Sequence, residues 1–172
     1  MSKVEEAREK ARAIIRDFPV RAAPVPIERV VKARGIVLQH APLDDEISGM
    51  AYIRDGVSII GVNALHHPNR QRFTIAHELG HHVLHPEHLR SEVHLDKAFR
   101  VLMRDGMTSQ GIDQLEIQAN AFASELLMPT AFLEDYVDPA GLDLDDDERL
   151  EALARKFRVS TSALRYRLAP RG

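Results

Sequence analysis

The spacing of apolar and polar positions divides the chain into elements before any chemistry is considered. Val4, Ala7, Ala11, Ile14, Ile15 and Phe18 recur at helical intervals, which predicts an amphipathic helix over residues 3–17 ended by Pro19. Pro24 and Pro26 mark a connector. Ile27 to Arg34 then read as a short helix closed by Gly35, and Ile36-Val37-Leu38 as a strand. The β-rich runs Ile47–Ile53 and Val57–Asn63 flank Asp55-Gly56, a residue pair suited to a tight hairpin turn, and predict two antiparallel strands. A helix follows, with Pro68-Asn69 suiting its start and Pro86 a stop just past its end. The chain is then polar to Leu95, Phe99 to Met103 suits another short strand, and Ile112 to Leu127 a second long helix stopped by Pro129. Thr130 is expected to cap a short helix to Val137. Residues 138–147 read as an acidic linker, and Glu148–Phe157 and Thr161–Leu168 as two final helices split by Val159-Ser160. This order implies an α+β fold, with a small antiparallel sheet packed on helices and a helical C-terminal part.

Composition narrows the classes without choosing one. At 172 residues, with 44% hydrophobic and 28% charged positions, the chain reads as one globular domain over 1–172. A formal net charge of −3 gives no overall nucleic-acid footprint. With no cysteine, disulfides and thiolate metal sites are excluded, so any zinc must sit on histidine and carboxylate. Met1-Ser2-Lys3-Val4-Glu5-Glu6 lacks the apolar stretch of a secretion signal, and no run reaches a membrane span. A cytoplasmic location with no membrane partner is the expectation.

Chemistry concentrates in Phe73-Thr74-Ile75-Ala76-His77-Glu78-Leu79-Gly80-His81-His82-Val83-Leu84-His85. On a helix, His77 and His81 lie four apart on one face and can offer two imidazole nitrogens to one ion. Glu78 lies roughly 100° round the axis, where it suits a general base toward a water on the metal rather than a ligand. Phe73, Ile75, Ala76, Leu79, Gly80, Val83 and Leu84 surround this trio with small or apolar residues at helical spacing. Zinc needs a third protein ligand in a catalytic site. His82, His85, His88, Glu92, His94, Asp96, Glu116 and Glu125 are the candidates. Leu84 and Glu87 stand where the extended motif needs glycine and histidine, which removes that subtype. Glu116 and Asn120 share one face of the second helix and suit a ligand with an orienting partner one turn later. Spacing alone leaves Glu116 and Glu125 level.

The segments Arg70–His81 and Glu116-Ile117-Gln118-Ala119-Asn120-Ala121-Phe122-Ala123-Ser124-Glu125-Leu126-Leu127-Met128-Pro129 resemble the ImmA/IrrE family of metallopeptidases, and the similarity runs from about Ile47 to Leu168. The resemblance implies a compact zincin-like, thermolysin-like core, with 35–137 as the catalytic part and 145–169 as helix-turn-helix-like terminal helices. It implies Glu116 as the third ligand beside His77 and His81, Zn2+ as cofactor with Mn2+ or Fe2+ as alternatives, and Glu78 as catalytic base. Gln118 stands where many relatives have an acidic residue, a change expected to leave the metal untouched. By the same resemblance the substrate is a partner transcriptional repressor of the phage-repressor type or an antitoxin, cut in a stress response by a short, stand-alone member. Tyr52, Tyr136 or His82 are candidates to stabilise the oxyanion. Val57–Val62 offers either ordinary sheet pairing or an edge for an extended peptide.

Two other classes of function remain in view. The helix-turn-helix rhythm of Leu150–Leu168, with Arg165, Arg167 and Arg171, suggests a DNA-binding regulator. Direct nucleic-acid binding is not expected, because Leu164 and Leu168 suit core packing and Asp143, Asp145, Asp146, Asp147 and Glu148 would repel phosphate. A non-catalytic zinc-stabilised interaction module is the other alternative. Glu78 argues against it, since a structural site needs no base.

Overall fold

The computed structural model describes residues 1–97, 110–137 and 145–170, with the side chains of 110–113 outside that description. The chain runs α1 (Lys3–Asp17), α2 (Ile27–Ala33), β1 (Val37–Ala41), β2 (Ile47–Arg54), β3 (Val57–Asn63), α3 (Pro68–Leu84), α4 (Pro86–Ser91), β4 (His94–Lys97), α5 (Gln110–Leu127), α6 (Thr130–Leu133), α7 (Asp147–Phe157) and α8 (Thr161–Leu168). The class is α+β, with one small sheet packed on helices. Among the described residues no helix is long and apolar enough to cross a membrane.

The sheet differs from the expected antiparallel one. Its order is β1-β3-β2-β4, with β2 antiparallel to both β3 and β4 but β1 parallel to β3, so it is mixed. Alternation along a strand reports which face is buried and not which way a neighbour runs. The side chain of Asn63, fully buried, holds the loop that carries β1 to β2. Its Nδ2 donates to the carbonyls of Leu43 (3.2 Å), Asp44 (3.1 Å) and Ile47 (2.9 Å), and its Oδ1 accepts from Leu43 N. Because β3 is paired on both sides, Val57–Val62 offers no edge to a peptide; ordinary sheet pairing accounts for it.

Most helices form where caps and periodicity placed them, but α6 ends at Leu133 instead of Val137, and Thr130 is its first residue and not its cap, the cap position being Pro129 with no side-chain bond. Ser2 caps α1 and Ser160 caps α8 through side-chain oxygens. Pro68 begins α3 at its first positions, where no N–H partner is needed. Pro86 ends α3 as expected but also opens α4, in a stretch that polarity alone left without structure. The strand expected over Phe99–Met103, most of the linker and Arg171 lie outside the described residues.

One buried cluster runs from Ala7 and Ala11 of α1 through Ile75, Ala76 and Leu79 of α3 and Phe122 and Leu126 of α5 to Leu150, Phe157 and Leu164 of α7 and α8. Helix α5 packs on α1 at one side and on α3 at the other. The approach to α3 is close because position 80 is glycine. A Cβ there would stand 3.0 Å from Phe122 Cδ1 and 3.3 Å from the Ala119 backbone. Gly49 of β2 serves the opposite side of α3, since a Cβ there would lie 2.5 Å from Thr74 Cγ2. Helix α3 is thus pressed between sheet and α5 along the turns that carry His77, Glu78 and His81.

Glu125 belongs to a different part of the molecule. Its buried carboxylate accepts from Arg12 Nε (2.7 Å), Thr130 Oγ1 (2.7 Å) and the guanidinium of Arg167, tying α1, α5, α6 and α8 together. Arg165 bonds Asp147 at 2.6 Å, so both described arginines of α8 are engaged by the protein itself. Replacing Glu125 by Ala leaves Arg167 buried without its carboxylate, while Arg12 keeps Glu5 and Glu9. The expected loss is about 3 kcal/mol, the low end for breaking a buried pair, with metal uptake unchanged. Chemical denaturation and a metal titration on the same sample check both parts.

Candidate metal centre

His77 and His81 lie on the inner face of α3, Glu116 on the facing turn of α5, and His94 at the start of β4. One ligand atom from each lies within 4.8 Å of the others. His77 Nε2 is 2.9 Å from Glu116 Oε2, and His81 Nε2 is 3.3 Å from Glu116 Oε1 and 3.2 Å from His77 Nε2. His94 Nε2 is 2.5 Å from Glu116 Oε1. All three imidazoles therefore direct Nε2 toward one carboxylate.

Each ring is also fixed from behind. His77 Nδ1–H donates to Asn120 Oδ1 at 2.8 Å, so the amide orients His77 across on α3 and not Glu116 one turn away on its own helix. His85 donates from Nε2 to Gln118 Oε1 at 2.8 Å, which leaves its Nδ1 as acceptor for His81 Nδ1–H at 3.0 Å. Gln118 thus does not touch the cluster but sets a tautomer two hydrogen bonds away. His94 Nδ1–H donates to Glu78 Oε2 at 3.0 Å. Such partners hold a ligating imidazole in one tautomer and orientation.

Glu78 is fully buried, and its second oxygen, Oε1, has no hydrogen-bond partner. An orphaned carboxylate oxygen beside His94 and His77 fits a site that would hold a metal and its water, because a buried acceptor left without a donor is costly. Burial raises the Glu78 carboxyl above its ordinary range, opposed by His94 and His77. Burial would raise Glu116 too, but hydrogen bonds from His77, His81 and His94 outweigh it and hold that carboxyl far below its usual value. Burial would lower His77, yet the negative charge of Asp96, Glu116 and Glu78 brings it up to about 9. In the same way Glu116 and Glu78 overcome burial at His94 and bring it to about 10. His81, pressed by burial and by its two cationic neighbours, falls to about 3.

A sign follows for metal uptake. Near neutrality the raised His77 holds a proton that would have to leave before its nitrogen could bind an ion. Affinity is therefore expected to rise with pH from neutrality to about 9, where the His77 proton is lost without help, and on to about 10 where His94 also ligates. Calorimetric titration with Zn2+ in buffers of differing ionisation enthalpy should show proton release near neutrality that fades toward the top of this range. A pH-independent affinity would contradict the arrangement.

The cluster opens to a small cavity of about 60 Å3 lined by His81, His88, Glu92, His94, Leu115 and Glu116, among others. Other sequence candidates lie elsewhere. His82 donates to the Ile59 carbonyl of β3 at 2.9 Å, and Tyr136 sets its ring against Phe157 and Lys156. Glu125 is enclosed by arginines, and no described group of potential ligands includes it. His85, a candidate ligand by sequence, instead stands behind His81, and Gln118 stands behind His85. His85 continues the four-residue row of His77 and His81 and was within reach of that pattern; Gln118 was not. Asp96 lies close enough to His77 and Glu78 to form a second, overlapping trio.

Residues 31–169 match the family described as Peptidase_M78, the IrrE N-terminal-like domain. The radiation response metalloprotease IrrE of Deinococcus deserti is 32% identical over 144 residues, 80% of this chain and 44% of that protein. Its namesake in Deinococcus radiodurans is 30% identical over 122 residues, 67% of this chain and 33% of that protein. The chain spans less than half the length of these two relatives. A solved structure described as a Mycobacterium tuberculosis transcriptional regulator shares the fold, with a TM-score of 0.59 at 18% identity, over 94% of this chain and 55% of that one.

Proposed function

Because the chain belongs to the IrrE N-terminal-like peptidase family, we propose that it is a zinc-dependent endopeptidase held by His77, His81 and Glu116, with Glu78 as general base. The family membership and the cluster of histidines and glutamates support a metallopeptidase acting on a protein; the particular roles are our reading of the geometry. The observation that carries it is the unpartnered oxygen of a buried Glu78, beside His94 and His77, where three imidazoles converge on Glu116.

When bound, the ion would polarise the scissile carbonyl and lower the pKa of the attacking water. Mn2+ or Fe2+ would supply the same chemistry. Glu78, its proton affinity raised by burial, takes the water's proton and passes it to the leaving nitrogen. Asn120 holds His77, and the His85–Gln118 pair holds His81, so neither ring must reorganise as charge develops. A zincin-like core within 35–137, with 145–169 packed as support in one domain over 1–172, is part of the same proposal.

For substrate we propose a helix-turn-helix repressor of the phage type or an antitoxin, in a cytoplasmic stress response. The names of the Deinococcus relatives, radiation response metalloproteases, support the stress setting. Incubating the metal-loaded protein with repressors encoded beside its gene, and reading intact masses, tests this. One discrete cut, absent with Glu78→Gln, is expected. Cleavage of unrelated peptides with every repressor left intact would overturn the substrate class.

A further inference from the structure

His94 shares its arrangement with two proposed ligands and yet comes from a different kind of element. It stands on β4, which among the described residues pairs only with β2, with His94 opposite Ala51. The side chain is buried, and its ring centroid lies 4.0 Å from that of His81. Nε2 faces Glu116, as do the Nε2 atoms of His77 and His81, while Nδ1–H is tied to a carboxylate, Glu78 Oε2. A ring with one nitrogen in a ligand cluster and the other donating to an acceptor is the usual posture of a ligating histidine. Its nitrogen also lies within 4.8 Å of a ligand atom of each of the other three.

We propose that His94 is a fourth protein ligand, which closes the coordination position a catalytic site leaves open and so holds the described arrangement in a latent form. A site with four protein ligands has the composition of a structural one, whereas catalysis needs a vacant or water-filled position. In this form Glu78 is also committed through Oε2 to the ring that blocks the site. Turning the His94 side chain away frees the position and releases Glu78 together. The β4–β2 ladder is a backbone pairing and need not break for that movement. The inference rests on the metal site proposed above and adds to it a residue and a closed state.

Co2+ alone is the probe, titrated into metal-free wild type and the His94→Asn and His94→Gln variants. Asparagine keeps an amide donor near Nδ1, toward Glu78, but has no atom at the Nε2 position; glutamine can place its amide oxygen there. Wild type should bind one Co2+ per chain with a visible spectrum that azide leaves unchanged. The Asn variant should bind about 100-fold more weakly with an azide-sensitive spectrum, and the Gln variant should fall between them. At saturating Zn2+ the Asn variant should cleave peptide faster than wild type. Should the Asn variant fail to fold, the Gln variant carries the comparison alone. Wild-type affinity and spectrum in the variants would overturn His94 as a ligand and leave the site of His77, His81 and Glu116 standing. Weaker binding without faster cleavage would overturn the closed state. No Co2+ uptake by wild type would overturn the metal site and this inference with it.

Discussion

Replacing Glu78 by Gln is expected to cut peptide hydrolysis by about 10²–10⁴-fold, the range supplied by a positioned general base, with metal content unchanged. The substitution keeps the shape of the side chain and a carbonyl oxygen able to accept from His94 Nδ1–H. It removes the proton affinity that burial gives the carboxyl at neutral pH. Folding should not suffer severely, because a neutral amide is less costly to bury than an ionised carboxylate in the same fully buried place. Rates at saturating substrate, compared with metal content on the same preparation, separate the two effects. A variant that cleaves at the wild-type rate would remove Glu78 from the chemistry and favour the interaction-module reading.

Glu116→Ala carries the second large expectation. This carboxylate is the group on which His77, His81 and His94 converge, and without it the cluster holds imidazoles alone. Structural zinc sites bind with roughly 10–16 kcal/mol in total. Divided among four ligands, that gives about 2.5–4 kcal/mol each, or roughly 10²–10³-fold in affinity. Competition against a chromophoric chelator measures the change. Unaltered affinity would exclude Glu116 as a ligand and leave His94 or Asp96 to complete the site.

Much of this centre was legible because two of its walls are helices. A period of 3.6 residues places His77 and His81 on one face, puts Asn120 one turn from Glu116, and allows the apolar positions to say which face is inward. Even so, spacing alone could not separate Glu116 from Glu125. What separates them is three-dimensional: Glu125 faces α1 and α8, where Arg12 and Arg167 take up its oxygens.

His94 was one candidate among eight. It sits in a polar stretch on a strand of four residues, too short for any period to speak. Its place depends on β4 pairing with β2, in a register that shifts between Ile47 and Gly49. Local sequence carries no signal for such a pairing. The parallel direction of β1 was hidden for a similar reason. It follows from a hairpin inserting β3 beside β1 and from Asn63 pinning the loop, both of which are contacts across the chain.

Metal content by mass spectrometry, measured together on wild type, His77→Ala, Glu116→Ala and Glu78→Gln, bears most directly on the site. About one divalent ion per chain in wild type, lost in the first two variants and kept in the third, is the expected result. A wild-type protein prepared without chelator that holds no metal and takes none up, or a Glu116→Ala variant that keeps its full complement, would contradict it.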